Sequence, residues 1–119
     1  MLVLVPTRED VLAIQSIEDA FDLTTTKING WEVALIRVAE AQGLLEFPGH
    51  AHAAASDEAI TENDVMTAIR SGRAASKDID LAGYRKVGIN FERTIARRRR
   101  IRVKVSWDRR HYTVTVHTI

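Results

Sequence analysis

Two hydrophobic periods divide the chain. Ahead of Gly72, apolar residues recur at intervals of three and four, as amphipathic helices require; after Ile101 they alternate every second position, as strands with one buried face require. Met1–Val5 reads as a short strand. Thr7 follows as an N-cap with Asp10 at the capping-box position, and Val11, Ile14, Ile17 and Phe21 form one helical stripe behind it. Thr24–Gly30 breaks that pattern. Asn29, with Glu32 three residues on, caps a second helix that is expected to bury Trp31, Leu35 and Val38 and to end at Gly43. Phe47–His50 is expected as a loop, and the alanine-rich Ala51–Glu58 as a short helix. Thr61, with Asp64 at N3, caps a helix over Glu62–Ser71 whose apolar face is Val65, Ala68 and Ile69 and which Gly72 ends. Arg73–Asp80 fits strand or loop, and Leu81–Asn90, with two glycines, fits an irregular strand pair.

The clearest pattern is the last one. Ile101, Val103, Val105 and Trp107 alternate with Arg102, Lys104 and Ser106, and Arg98 and Arg100 precede them in phase. The second run alternates Tyr112, Val114 and Val116 with His111, Thr113, Thr115 and His117. If Arg109-Arg110 is the turn, Trp107 opposes Tyr112, Val105 opposes Val114, Val103 opposes Val116, Lys104 opposes Thr115 and Arg102 opposes His117. A one-residue slip would mix the two faces, so only this parity is acceptable. Arg-Arg lacks the Asn-Gly chemistry of a tight hairpin turn, which leaves open a longer loop starting at Asp108. Helices followed by strands give the α+β class: N-terminal helices packed on a C-terminal antiparallel sheet.

A length of 119 residues suits one domain with one core. The absence of cysteine excludes disulfides and thiolate metal sites, and no stretch is long enough for a signal-peptide core or a membrane span, so a soluble cytoplasmic protein is expected. Charge changes the picture more. Residues 1–80 hold 6 Lys/Arg against 14 Asp/Glu, and residues 81–119 hold 11 against 2. The basic part therefore faces a polyanion, or is neutralised by the acidic part or by a partner.

From His50 onward the chain resembles a family of small bacterial domains of unknown function whose sequences read His-x3-Arg-x3-Arg-x-Ile-Ser, then a helix closed by glycine, a strand Arg-x-Val-x-Val and a strand Val-Ile-Thr-Val. The matching residues are His50, Ile60-Thr61, Val65, Ala68-Ile69, Ser71-Gly72, Ile101–Val105 and Tyr112–Val116. Residues 1–49 form a helical N-terminal extension without counterpart, within a single domain spanning 1–119. That family is similar to the RelE-like and barnase-like ribonucleases, many of them toxins that cut RNA without metal. The resemblance implies the same fold and a ribonuclease-like activity. Both arginines of the motif are missing: Ala54 and Glu58 stand in their places.

Metal-free RNA cleavage needs a base for the 2′-hydroxyl, an acid for the leaving oxygen and a cation for the phosphorane charge. Histidine suits the first two roles and arginine the third. The candidate catalytic residues are His50, His111, His117 and Thr115, and the candidate nucleic-acid contacts are Arg98, Arg100, Arg102 and Lys104. Tyr84, Phe91 and Tyr112 are the aromatics that would add base stacking, but they are sparse and Tyr112 is expected on the apolar face, so single-strand binding by stacking is not strongly signalled. No metal or other cofactor is expected, because His50 and His52 do not share a helix face. The partners implied are RNA, an antitoxin-like or otherwise acidic protein, and a second copy in a homodimer. The alternative function is a non-enzymatic RNA- or protein-binding module, which the two missing arginines favour.

Overall fold

The structure is a computed structural model that describes residues 5–82, 86–107 and 112–118. Five helices, α1 (Arg8–Leu12), α2 (Ile17–Ala20), α3 (Gly30–Ala41), α4 (Gly49–Asp57) and α5 (Glu62–Ser71), accompany strands β1 (Leu45–Glu46), β2 (Arg73–Asp80), β3 (Lys86–Ile95), β4 (Arg99–Trp107) and β5 (Tyr112–Thr118). The strands form one sheet in the order β1-β5-β4-β3-β2. The α+β class holds. The sheet is mixed rather than antiparallel, because β1 runs parallel to β5. Among the described residues no helix is long and apolar enough to cross a membrane.

Capping explains most helix starts. Asp10 and Thr7 exchange side-chain bonds, with the Thr7 N–H donating to Asp10 Oδ2 at 2.7 Å, and Asn29 with Glu32 and Thr61 with Asp64 do the same. The stripe from Val11 to Phe21 is not one helix. The carboxylate of Asp19 accepts from the backbone N–H groups of Gln15 and Ser16, starting a new helix at Ile17. α4 begins at Gly49, with Pro48 as its N-cap, so His50 lies in the helix and not in the expected loop. Gly43 ends α3 with a φ of 69°, the left-handed conformation that favours glycine.

The expected hairpin parity is found in full: Trp107 opposes Tyr112, Val105 Val114, Val103 Val116, Lys104 Thr115 and Arg102 His117. Its turn, with Arg109, Arg110 and His111, lies outside the described residues, as do Tyr84 and most of the Met1–Val5 segment. In place of an irregular strand pair over Leu81–Asn90, Lys86 opens the single long strand β3, which pairs with both β2 and β4.

One face of the sheet is wholly apolar in its centre. Val87, Ile89 and Phe91, Ile101, Val103, Val105 and Trp107, and Val114 and Val116 are buried in the same core as Leu35, Ile36, Ala51, Ala55, Val65 and Ile69 of the helices. α4 runs beside β5, and α5 beside β3 and β4. Trp31 departs from expectation, being 38% exposed. The core also holds a charge pair. Lys77 Nζ donates to Glu32 Oε2 at 2.6 Å and to the Asp22 carbonyl at 2.6 Å, while Glu32 accepts from the Asp22 and Asn29 N–H groups. Both side chains are fully buried. Such a pair survives because its remaining lone pairs and protons are satisfied.

Candidate nucleic-acid interface

The side chains that alternate away from the core make the open face of the sheet. Register sets them in rows. His117 stands opposite Arg102, which opposes Glu92, which opposes Arg73; Thr115, Lys104, Asn90 and Ser76 form the next row; Thr113, Ser106, Gly88 and Asp78 the third. A shift at Ala75 in β2 keeps Arg73 and Ser76 on this face while Ala74 and Lys77 both turn to the core.

The face carries carboxylates as well as cations, which the alternation of β4 and β5 alone does not reveal. Arg102 donates to Glu92 Oε1 at 2.9 Å, and Arg73 lies 3.5 Å from Oε2 of the same carboxylate. Lys104 Nζ lies 3.1 Å from Asp78 Oδ2, which also accepts from Asn90 Nδ2 at 2.9 Å. The hydrogen bond from Arg102 holds the Glu92 carboxyl below its ordinary pKa. Asp78 is lowered too, first by the bond from Asn90 and then by Lys104. Lys104 reaches Asp78 across Gly88. A Cβ on Gly88 would come within 2.8 Å of Lys104 Cε, so the glycine leaves room for the lysine stem.

A cavity of about 210 Å³ opens beside this pair, lined by Asp78, Asp80, Lys86, Lys104, Thr115 and His117 among others. The structure thus brings together three residues expected to share a site: Lys104, Thr115 and His117. Arg102 is adjacent through its register with His117. His50 is not among them. It is exposed on α4, whose Ala51 and Ala55 are buried with Val114 and Val116, the residues of β5 that alternate opposite to Thr115 and His117. Phe91 is fully buried and offers no stacking surface.

The remaining cations gather at the β3–β4 end. Arg98 is not on the strand face: it sits in a turn from Ala96 to Arg99 in which Arg97 and Arg98 both have positive φ, 63° and 57°. Arg97, Arg98 and Arg100 are exposed and, among the described residues, form no ion pair. Arg73, Glu92, Arg93, Thr94 and Arg100 line a shallow cleft of about 400 Å³ at this end. Arg99 donates to Glu58 Oε2 at 2.9 Å. That bond ties the C-terminal end of α4 to the start of β4. Sequence reasoning missed Asp78, Asp80, Asn90 and Glu92 as parts of this face. The alternation Ser76, Asp78, Asp80 in β2 was the available signal.

Comparison with protein-family models, with curated proteins and with solved structures gives no match.

Proposed function

We propose that the protein is an RNA-binding module of RelE-like or barnase-like architecture, its helices laid on one face of the sheet and RNA phosphates held at the β3–β4 end of the other. The supporting observation is the division of the cations. Arg102 and Lys104, next to His117, are engaged by Glu92 and Asp78, whereas Arg97, Arg98 and Arg100 form no ion pair among the described residues. Arg97 and Arg98 exchange only water and counterions for phosphate, and Arg100, which acts on Glu92 through space without an ion-pair contact, has little more to give up. Forks already held by carboxylates must break those bonds first.

Fluorescence anisotropy with a labelled single-stranded RNA in EDTA, titrated with salt, tests this reading. Affinity is expected to fall linearly on logarithmic axes, with a slope of about 0.7 per phosphate contact for a single strand. Arg97→Ala, Arg98→Ala and Arg100→Ala should each lower affinity and flatten that slope while the RNA stays intact on a gel. Binding that is indifferent to salt, or untouched by the triple variant, refutes it.

A second reading, a metal-independent ribonuclease toxin held in check by an antitoxin-like acidic protein, is favoured by the gathering of His117, Thr115 and Lys104 around one cavity with Asp78 and Asp80. A histidine and a carboxylate can divide the base and acid roles, and lysine can offset the phosphorane charge. Cleavage of RNA in EDTA that His117→Ala abolishes would establish this reading over the first.

A further inference from the structure

Trp31, expected in the core, instead walls an open groove. Ala13, Ile14 and Leu35 complete its apolar lining, and the carboxylates of Asp10 and Asp19 stand at its rim, around a space of about 190 Å³. Each carboxylate caps its own helix through Oδ2, which keeps both charges fixed beside the groove. An aromatic face, an aliphatic floor and two carboxylates match one kind of group: a long cationic side chain whose methylenes pack on the apolar lining and whose head meets the indole and the acids. The groove belongs to the acidic part of the chain, which carries 14 Asp/Glu against 6 Lys/Arg in residues 1–80.

The same chain presents the complementary shape. The Ala96–Arg99 turn projects Arg97 and Arg98 at the end of a hairpin, both exposed. Both are held at positive φ, a conformation that non-glycine side chains disfavour. Asn-Gly would satisfy this turn at less cost. Arginines kept in a turn that disfavours them suggest that their side chains are used, and neither has an ion-pair partner among the described residues.

We propose that the Trp31 groove of one molecule receives the Arg97–Arg98 turn of a second copy. The contact is head-to-tail: groove and turn are different surfaces, so each molecule keeps one of each unfilled and association continues into short open chains. It is electrostatic at its rim and therefore weakens when salt shortens the Debye length. RNA held at the β3–β4 end would compete for the same turn. The inference stands without that reading, because the groove lies in the N-terminal helices and is tested in the absence of RNA.

Sedimentation velocity of the RNA-free protein provides the test. In low salt the weight-average mass should rise above the 13.4 kDa of one chain as concentration increases, and return to it in high salt. Trp31→Ala should abolish the rise, and so should the double variant Arg97→Glu/Arg98→Glu. Ala13→Arg, which fills the groove with a cation from its own exposed lining, gives a second groove-blocked protein if Trp31→Ala fails to fold. Mixing a groove-blocked with a turn-blocked protein should restore association, limited to one-to-one dimers, since only one competent groove and one competent turn remain. A wild type that stays monomeric at every concentration in low salt overturns the proposal. So does a mixture that stays monomeric, or association that persists in both single-surface variants.

Discussion

Gly72 shows how little space a single position can have. A Cβ there would lie 2.3 Å from the Ala68 carbonyl oxygen and 2.8 Å from that of Glu92, both backbone atoms fixed by α5 and β3. Gly72→Ala is therefore expected to cost about 1–3 kcal/mol, the range of overpacking, as measured by urea denaturation; an unchanged midpoint would show that the helix end shifts freely. Arg97 and Arg98 present the opposite case. Exchanging the pair for asparagine and glycine relieves two positive-φ arginines, so Arg97→Asn/Arg98→Gly should raise stability by about 1–3 kcal/mol. The same change should weaken RNA binding. A variant that loses both stability and binding would mean the arginines hold the turn together. Glu92 and Asp78 set the acid response of the open face. Their folded-state pKa values are depressed, Glu92 chiefly by Arg102 and Asp78 chiefly by Asn90. The stability they add is thus complete above their unfolded values, about 4.3 and 3.9, and is lost as pH falls through the lower folded ones. Asp78 is solvent-exposed and the Glu92 pair includes partly exposed arginines, so screening by solvent keeps the effect small. Glu92→Gln should flatten the acid limb of a stability–pH curve, and an identical limb would count against the pairing with Arg102.

At the scale of elements, the joint between the N-terminal segment and the sheet is the Lys77–Glu32 pair. Glu32 begins α3 as a capping-box residue, yet the same carboxylate reaches β2, and Lys77 also holds the Asp22 carbonyl. Removing one member leaves the other charge buried and unpaired, so Lys77→Met is expected to cost about 3–5 kcal/mol. Lys77→Met combined with Glu32→Gln should recover part of that, because the glutamine is uncharged, although its single carbonyl oxygen replaces only one of the two that accept from Asp22 and Asn29. Thermal unfolding of the wild type, Lys77→Met, Glu32→Gln and the double variant checks the cycle; additive losses would mean the pair is not coupled. α3 is tied to α5 in a second way. Arg37 donates to the carbonyls of Ile69 and Gly72, satisfying acceptors that every helix end leaves open. Arg70 and Glu40 bridge the same two helices at 2.5 Å. β2 is an edge strand, and its inward lysine and register shift are the devices that discourage pairing with another sheet.

For the whole molecule, opposite charges are sorted along the chain, yet folding mixes them. Glu92 and Asp78 enter the open face from β3 and β2 and compensate two of the cations that β4 supplies, leaving the surplus at the β3–β4 end. RNA affinity should accordingly depend more on Arg97, Arg98 and Arg100 than on Arg102 and Lys104. Measuring Arg102→Ala beside the triple variant in one salt series decides it, since an equal or larger loss from Arg102→Ala would relocate the site to His117.

Local chemistry was legible in the sequence wherever its partners are near neighbours. Three capping boxes, the helix Glu62–Ser71, the glycine ends and the hairpin register follow from spacings of three, four and two, because those interactions close within a turn or a strand pair. The α+β class follows from the order of those periods. Only the tertiary structure decided what depends on distant segments: the parallel addition of β1 to β5, the burial of Lys77 against a capping glutamate, the exposure of Trp31, and the carboxylates that β2 and β3 bring to the cationic face. A strand's period states which residues share a face. It does not state which neighbouring strand completes that face, and here the neighbour determines which of its cations are free to bind.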